Sequence, residues 1–315
     1  MKKDPEELSI DIPKGISRRS FLKYCGSIAA ALSLDPTFIP KIARALTATA
    51  RPPVAWLHFA ECTGCSESFL RITQPSLEDL LLDKLSLDYH ETIMAAAGIQ
   101  AEENLYELVA SIPGEFFCIV EGSIPTADNG VFGTIGDKTM LQIAQEVLPM
   151  AKAVIAYGTC ASFGGLAAAA PNPTGAKGVQ DAVGLSTVNI SGCPPNPLNL
   201  ASTIVNYLLF GKLPALDSKG RPTFAYGSKV HDKCPKPFGC LKEMGCKGPR
   251  CHNNCPTIKF NDATGWDIQA GHHCVGCAEP EFWDAFAPLY NPDYPKKFYE
   301  KQGFIGGRQK QGEDD

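Results

Sequence analysis

Cys62-Thr63-Gly64-Cys65, Gly158-Thr159-Cys160 and Gly192-Cys193-Pro194-Pro195 each set a thiol beside glycine or proline, where the backbone can approach an inorganic centre closely. Brought together, four such thiols form a transition-metal set. Taken singly, Cys62 and Cys65 read as a redox pair, and Cys160 and Cys193 as small core residues. A second group follows. Between His231 and Cys277 lie seven cysteines in 47 residues: His231-x-x-Cys234, then Cys240, Cys246, Cys251 and Cys255, then Cys274-x-x-Cys277. Gly, Pro and Lys are abundant there and apolar periodicity is weak, so side chains alone cannot build a core. Zinc favours isolated tetrahedral fours, which His231 and Cys234 with Cys274 and Cys277 would imitate, whereas a pair of iron-sulfur clusters uses more of the set. Disulfides are the third chemistry open to a chain outside the cytoplasm. Cys118 lies inside an apolar run and reads as a buried residue instead.

The first set needs a sheet to position it. Val54 to Phe59, Phe116 to Val120, Ala153 to Tyr157 and Thr187 to Ile190 are apolar runs of buried-strand length. Helical patterns at Ser76 to Leu87, Ala101 to Ser111, Asp137 to Met150 and Asn199 to Leu209 alternate with them. That rhythm predicts a parallel α/β sheet, whose ligands bind beyond the carboxyl ends of the strands. Those ends run into Glu61 to Cys65, Glu121-Gly122, Gly158 to Cys160 and Gly192 to Pro195, so the four thiols are expected on one edge.

Composition narrows the remaining choices. Of 315 residues, 44% are apolar, enough for a sizeable core, and the odd total of thirteen cysteines is not needed as staples for want of one. With 29 Lys+Arg against 34 Asp+Glu and a net charge of −5, no basic face is available for nucleic acid. The longest apolar run, Ile28 to Leu34, is broken by Ser33 and falls far short of the roughly 18 to 20 residues of a membrane span. Residues 1–50 differ from the rest: Ser17-Arg18-Arg19-Ser20-Phe21-Leu22-Lys23, a small apolar stretch from Gly26 to Leu34, then Ala43-Arg44-Ala45 and Ala48-Thr49-Ala50. The plain reading is a basic amphipathic helix; the order of its parts looks like a twin-arginine export signal, cleaved after Ala45 or Ala50. It is set aside from the fold, with Cys25 in discarded sequence.

Glu121-Gly122-Ser123-Ile124-Pro125-Thr126, Gly245-Cys246-Lys247-Gly248-Pro249 and Cys274-Val275-Gly276-Cys277-Ala278-Glu279-Pro280 join the motifs above and Arg19 in its twin-arginine setting. Together, in order and across nearly the whole mature chain, they resemble the small subunit of nickel-iron hydrogenases. The resemblance implies a flavodoxin-like α/β domain over 51–226, an irregular iron-sulfur domain over 227–294 and a polar tail over 295–315. It implies a periplasmic chain, folded before export, that conducts electrons while the nickel-iron centre lies in a separate large subunit, with a cytochrome-type carrier as the outer partner. By resemblance, Cys62, Cys65, Cys160 and Cys193 hold a proximal 4Fe-4S cluster, and Cys255, Cys274 and Cys277 a medial one. His231, Cys234, Cys240 and Cys246 hold a distal 4Fe-4S cluster, in which the imidazole raises the potential. Glu61, Thr63 and Glu121 flank the proximal site.

Three positions depart from the common pattern. The loop between Cys234 and Cys240 is short. Asp267 stands where a Pro accompanies a medial 3Fe-4S cluster and a Cys a 4Fe-4S one; its carboxylate either ligates iron or bonds nearby amides and leaves three irons. Gly64 and Gly165 occupy the positions of two extra cysteines in oxygen-tolerant members, which implies an ordinary cubane and an oxygen-sensitive enzyme. Cys251 has no counterpart and reads as a substitute for Cys240 or a bystander. His58 and His90 read as hydrogen-bonded structural residues, and His252, His272 and His273 have no family role.

Overall fold

The computed structural model describes residues 17–47, 51–72, 86–260, 265–280 and 282–286. Five strands, β1 (Pro53–His58), β2 (Ser86–His90), β3 (Phe117–Glu121), β6 (Ala153–Tyr157) and β7 (Val188–Ile190), form one sheet in the order β2-β1-β3-β6-β7, with every neighbouring pair parallel. Counting sheet strands alone, this is the 2-1-3-4-5 order of doubly wound flavodoxin-like sheets, whose connections diverge between the first and third strands. A two-stranded hairpin, β4 (Thr134–Ile135) and β5 (Lys138–Thr139), stands apart from it.

Strand side chains alternate between the faces, and each face has its own core. Leu57, Cys118, Val120 and Val154 pack with Leu105, Ile143 and Val147 from α4 (Ile99–Ser111) and α5 (Met140–Val147). Trp56, Ile119, Ile155 and Tyr157 pack with Phe69 of α3 (Gly64–Leu70) and with Leu200 and Ile204 of α8 (Pro197–Phe210). Between these helices come two single turns, α6 (Thr159–Phe163) and α7 (Val179–Val183). Helix starts follow local chemistry: Thr139 and Gln142 form a reciprocal capping box on α5, and Asn196 caps α8 ahead of Pro197. Cys118 is fully buried in β3, as its apolar run implies.

Two expectations are corrected. The helical pattern of Ser76 to Leu87 lies outside the described residues up to position 85, but Ser86 and Leu87 begin strand β2, which ends at His90. Leu87 and Tyr89 alternate with polar neighbours on an edge strand, a pattern too short to compete with the helical reading upstream. Residues 17–47, set aside from the fold as a candidate export signal, pack on it: α1 (Arg18–Ala31) and α2 (Ile39–Thr47) make a hairpin whose Phe21, Tyr24, Cys25, Ile28, Ile42 and Leu46 bury against Val205, Leu198 and Leu209 of α8. Burial there pushes the Cys25 thiol up to about 12. The Ala48-Thr49-Ala50 site and the tail over 295–315 lie outside the described residues. Among the described residues, no helix is long and apolar enough to cross a membrane.

From Gly227 onward the described residues hold only short turns, including α10 (Val230–Lys233) and α11 (Cys255–Ile258), after α9 (Thr223–Tyr226). A buried ionic network fastens this region to the sheet. Arg221, 2% exposed, donates to Asp217 at 2.9 Å and to Glu279 at 3.1 Å, while Lys219 meets the other Glu279 oxygen at 2.6 Å. Removing one partner would strand a buried charge. Hydroxyls add to the seam: Ser191 donates to the carbonyl of Ala278 at 2.8 Å, and Tyr226 to that of Ser191 at 2.7 Å.

His90 packs its ring against Trp56 and His58, and burial, followed by the charge of His58, lowers its pKa to about 3. Folded chains keep it neutral where unfolded chains take up a proton near pH 6.5. Its share of stability is therefore intact above about pH 6.5 and drains away as pH falls toward 3. His90→Gln is expected to flatten the dependence of the denaturant midpoint on pH across that window, by at most about 1.4 kcal/mol per pH unit. An unchanged slope would mean that His90 is protonated in the fold.

Candidate metal centres

The proximal thiols come together as the strand ends require. Cys62 leaves β1 in a loop, Cys65 sits in the first turn of α3, Cys160 opens α6 after β6, and Cys193 follows β7. Burial, followed by the charges of Glu121, Cys160, Cys193 and Cys62, raises the pKa of Cys65, so all four thiols lie within electrostatic reach of one another. Burial also pushes Cys193 up to about 12 and raises Cys160.

Glycines keep this space open. A Cβ on Gly158, whose φ is +106°, would meet Cys65 Sγ at 2.4 Å, and one on Gly165 would meet Cys160 Sγ at 2.4 Å. Gly64 faces Cys62 Sγ, with its own imagined Cβ at 3.2 Å. A side chain at Gly64 or Gly165 would therefore press on the sulfur of Cys62 or Cys160. Thr63 takes a left-handed conformation with φ 63°, a strained choice for a β-branched residue and one that turns the chain between Cys62 and Cys65.

Behind the thiols, Glu121 at the end of β3 accepts the backbone N–H groups of Cys65 and Ser66, both at 3.0 Å, and the Ser66 hydroxyl at 2.6 Å. Ser66 Oγ lies 3.2 Å from His58 Nε2, and Thr92 Oγ1 lies 3.0 Å from His58 Nδ1, which gives His58 the hydrogen-bonded role expected of it. Glu61 is not a solvated loop carboxylate. One of its oxygens is buried without a partner and the other accepts from Thr63; burial, then Glu121, raises its pKa.

The remaining donors divide between two cavities. His231, Cys234, Cys240 and Cys246 line a small one with Gly239 and Ile268. Cys251, Cys255, Cys274, Cys277 and Asp267 line another of about 670 Å³, whose wall also includes Cys193 and Gly64 of the proximal site. The mixed zinc group of His231 and Cys234 with Cys274 and Cys277 is thus split between cavities, and among the described residues no three candidate ligands converge on one ion. Two indole N–H groups at the larger cavity, on Trp266 and Trp283, are buried without protein partners, as suits a cavity that takes a group rich in sulfur acceptors. Cys251 lines the cavity of Cys255, Cys274 and Cys277 and not that of Cys240, so it is placed to substitute for none of the small-cavity donors. Nothing in its spacing could have told this, because Val230 and Lys247 pin its backbone. Asp267 stands exposed at the edge of this cavity, yet desolvation by its surroundings raises its pKa against the pull of His272. His252 is held by Glu279, and His272 stacks on His273, as structural residues do.

Backbone N–H groups reach several of these sulfurs and link the sites. Lys236 donates to Cys234 Sγ at 3.3 Å and Gly248 to Cys246 Sγ at 3.4 Å, while the Thr159 hydroxyl reaches the Cys277 carbonyl and the Lys247 N–H reaches the Cys274 carbonyl at 2.7 Å, which ties neighbouring sites together. Residues 62–207 match the family described as NADH ubiquinone oxidoreductase, 20 Kd subunit, and residues 221–290 match the C-terminal family of the NiFe/NiFeSe hydrogenase small subunit. The periplasmic [NiFe] hydrogenase small subunit 1 of Nitratidesulfovibrio vulgaris is 54% identical over 88% of this chain and 94% of its own. The chain belongs to the nickel-iron hydrogenase small-subunit family. The quinone-reactive Ni/Fe-hydrogenase small chain of Wolinella succinogenes is 43% identical over 89% of this chain and 85% of its own. A reduced, active Ni-Fe-Se hydrogenase structure from Desulfomicrobium baculatum aligns with a TM-score of 0.72 at 35% identity, covering 76% of this chain and 99% of that one.

Hydrogenase small subunits pair with a large subunit, so this fold is one half of an enzyme. In it, Gly158→Ala is expected to remove about four irons of roughly twelve by driving a methyl into Cys65, as iron analysis of the purified complex would read. Gly184→Ala is the control. Its φ of +73° and ψ of 19° lie in the milder left-handed region and nothing lies within 4 Å, so its iron should stay at the wild-type value.

Proposed function

We propose that this chain relays electrons one at a time between the nickel-iron site of its large subunit and an external carrier, through three iron-sulfur clusters. The observation that carries the reading is the file of donor sets: four thiols at three strand ends, a cavity whose wall is shared with them, and a further cavity tied to it by the Lys247 N–H on the Cys274 carbonyl. Cys62, Cys65, Cys160 and Cys193 would hold the proximal 4Fe-4S cluster, and His231, Cys234, Cys240 and Cys246 the distal one. Cys255, Cys274 and Cys277 would hold the medial cluster. Bound there, the clusters supply reversible one-electron chemistry without proton bookkeeping.

The residues of the chain set the conditions. Desolvation makes the thiolates of Cys65, Cys160, Cys255 and Cys277 costly unless iron charge offsets it, so these positions favour clusters over free thiolates. The amides of Lys236 and Gly248, donating to Cys234 and Cys246, would stabilise the more negative, reduced state. Glu61, with its raised pKa and hydroxyl partner Thr63, is a carboxyl able to hold a proton beside the proximal site. Asp267 brings an oxygen to the medial cavity. An oxidised three-iron paramagnetic resonance signal would exclude it as a permanent fourth ligand.

The leader fits twin-arginine export, in which the chain crosses already folded to the periplasm and passes electrons to a cytochrome-type carrier there. Arg18 and Arg19 stand exposed at the start of α1, available to a receptor. Purified from the periplasm, the complex should be brown, contain roughly a dozen irons per small chain and bring with it a larger nickel-containing chain. A colourless protein with zinc or disulfides would replace this reading with a secreted scaffold, and a brown protein without the large chain with a free carrier. With Gly64 and Gly165 in place of extra thiols, hydrogen oxidation should be lost in air; persistence under sustained air would count against an ordinary proximal cubane.

A further inference from the structure

Between Lys229 and Met244, four lysines, Lys229, Lys233, Lys236 and Lys242, stand against two carboxylates, Asp232 and Glu243, in a chain whose net charge is −5. All six side chains are exposed, and among the described residues none of them belongs to an ion pair. Two apolar side chains of the same stretch, Phe238 and Met244, are 62% and 72% exposed. Each is held out by a tight turn beside a donor. The Gly239 N–H closes the first turn on the Lys236 carbonyl at 3.0 Å, and the Lys236 N–H, on Cys234 Sγ, ties that turn to the small cavity. The Gly245 N–H closes the second on the Lys242 carbonyl at 3.1 Å, and Cys246 follows directly. We infer that this surface, Phe238 and Met244 with the four lysines of the same stretch, is the docking face of the electron carrier, and that the carrier meets it with an acidic surface around its own redox group. The inference rests on the reading that His231, Cys234, Cys240 and Cys246 hold the distal cluster.

Position and charge argue together. Lys236, Gly239, Cys240 and Leu241 line the small cavity, and Cys240 is itself exposed, so these donors reach the surface on the basic turns themselves. Electron-transfer partners meet through small, short-lived interfaces, in which long-range charge sets the encounter rate and a few close contacts set the dwell time. Lysines without carboxylate partners raise the local concentration of an acidic molecule and repel a basic one. Lone exposed apolar side chains are ordinary on a protein surface, but here two of them flank the donor loop among charges, which is the make-up of a contact surface. A bilayer rich in anionic lipid offers the same charge, but its headgroups accept no electron and would cover the donors through which electrons leave. The step at this face is outer-sphere: the reduced distal cluster loses one electron, the carrier gains it, and no bond or proton is exchanged.

Binding to the purified heterodimer tests this, with a plant-type ferredoxin as the acidic probe, mitochondrial cytochrome c as the basic one and phosphatidylglycerol vesicles as the lipid. The wild type should bind the acidic probe and release it as ionic strength rises from about 10 to about 150 mM, and it should bind the basic probe less well. Lys233→Glu with Lys242→Glu should weaken the acidic probe about tenfold, mainly through slower association, and strengthen the basic one. Phe238→Ser with Met244→Gln should speed dissociation instead and leave the salt dependence as in wild type. Iron content should match wild type in both variants, since none of the four side chains lines the small cavity. Should the reversed charges disturb the fold, Lys233→Gln with Lys242→Gln carries the comparison, with a smaller loss in the same direction. Preference of the wild type for the basic probe, or an affinity for the acidic one that ignores the lysines, would overturn the inference. Binding to vesicles and to neither protein would replace it with a membrane-facing surface. A wild-type heterodimer with no distal iron-sulfur signal would sink the underlying reading instead, whichever probe it binds.

Discussion

The structure depends on one constraint: sulfur atoms from distant segments must be held close together inside the protein before anything neutralises them. Parallel strands solve the first part of the problem. Their carboxyl ends lie in one row, and at the divergence between β1 and β3 the chain leaves the sheet in opposite directions, opening a crevice. Cys65 and Glu121 meet in that crevice through a backbone hydrogen bond, so the loop carrying two thiols is tied to the strand beside it. Small residues do the rest, because at Gly158 and Gly165 even a methyl would collide with sulfur.

Burial sets the second half of the constraint. Desolvation favours the neutral thiol, and the pKa values of Cys65, Cys160, Cys193, Cys255 and Cys277 are all raised. As neutral thiols, cysteines pack like small hydrophobes, and Cys251 and Cys274 share a cluster with Tyr226, Val230, Trp266 and Ile268. A region too irregular to stabilise itself through helices and strands therefore uses its ligands twice, as core atoms without metal and as iron donors with it. Cluster insertion then couples to folding, because each thiolate formed is stabilised only with iron in place.

How much of this was legible in the sequence follows from which interactions are local. β1, β3, β6 and β7 were readable because a buried parallel strand is a continuous apolar run with a glycine at its end. β2 was not: Ser86-Leu87-Asp88-Tyr89-His90 is a short edge strand whose Ser, Asp and His break up the apolar run, although His90 is buried. The leader was recognisable by composition, but its seat on α8 depends on Val205 and Leu209, which only tertiary packing presents to it. The proximal four could be gathered from strand ends alone. For the rest, spacing could not say which cysteines share a cavity: Cys251 lies between Cys246 and Cys255 in sequence, and the turn from Lys247 to Cys251 decides its side. Amide donors to sulfur carry no sequence signal at all.

Hydrogen bonds between the donor sets also explain why the three are not independent. The Thr159 hydroxyl, next to Cys160, donates to the Cys277 carbonyl, and Lys247, next to Cys246, donates its N–H to the Cys274 carbonyl at 2.7 Å. Electron transfer weakens steeply with distance, so a relay built on an irregular chain needs its intervals fixed by something other than regular secondary structure. Here a residue beside one candidate donor bonds the backbone of a donor in the next set, which ties the spacing to the donor sets themselves. The Arg221–Glu279 network holds the loop behind Cys277 from the other side, and its buried charges tolerate little displacement. Rigidity along the relay therefore comes from polar contacts concentrated at its junctions, while from Gly227 onward the described segments between them hold only short turns.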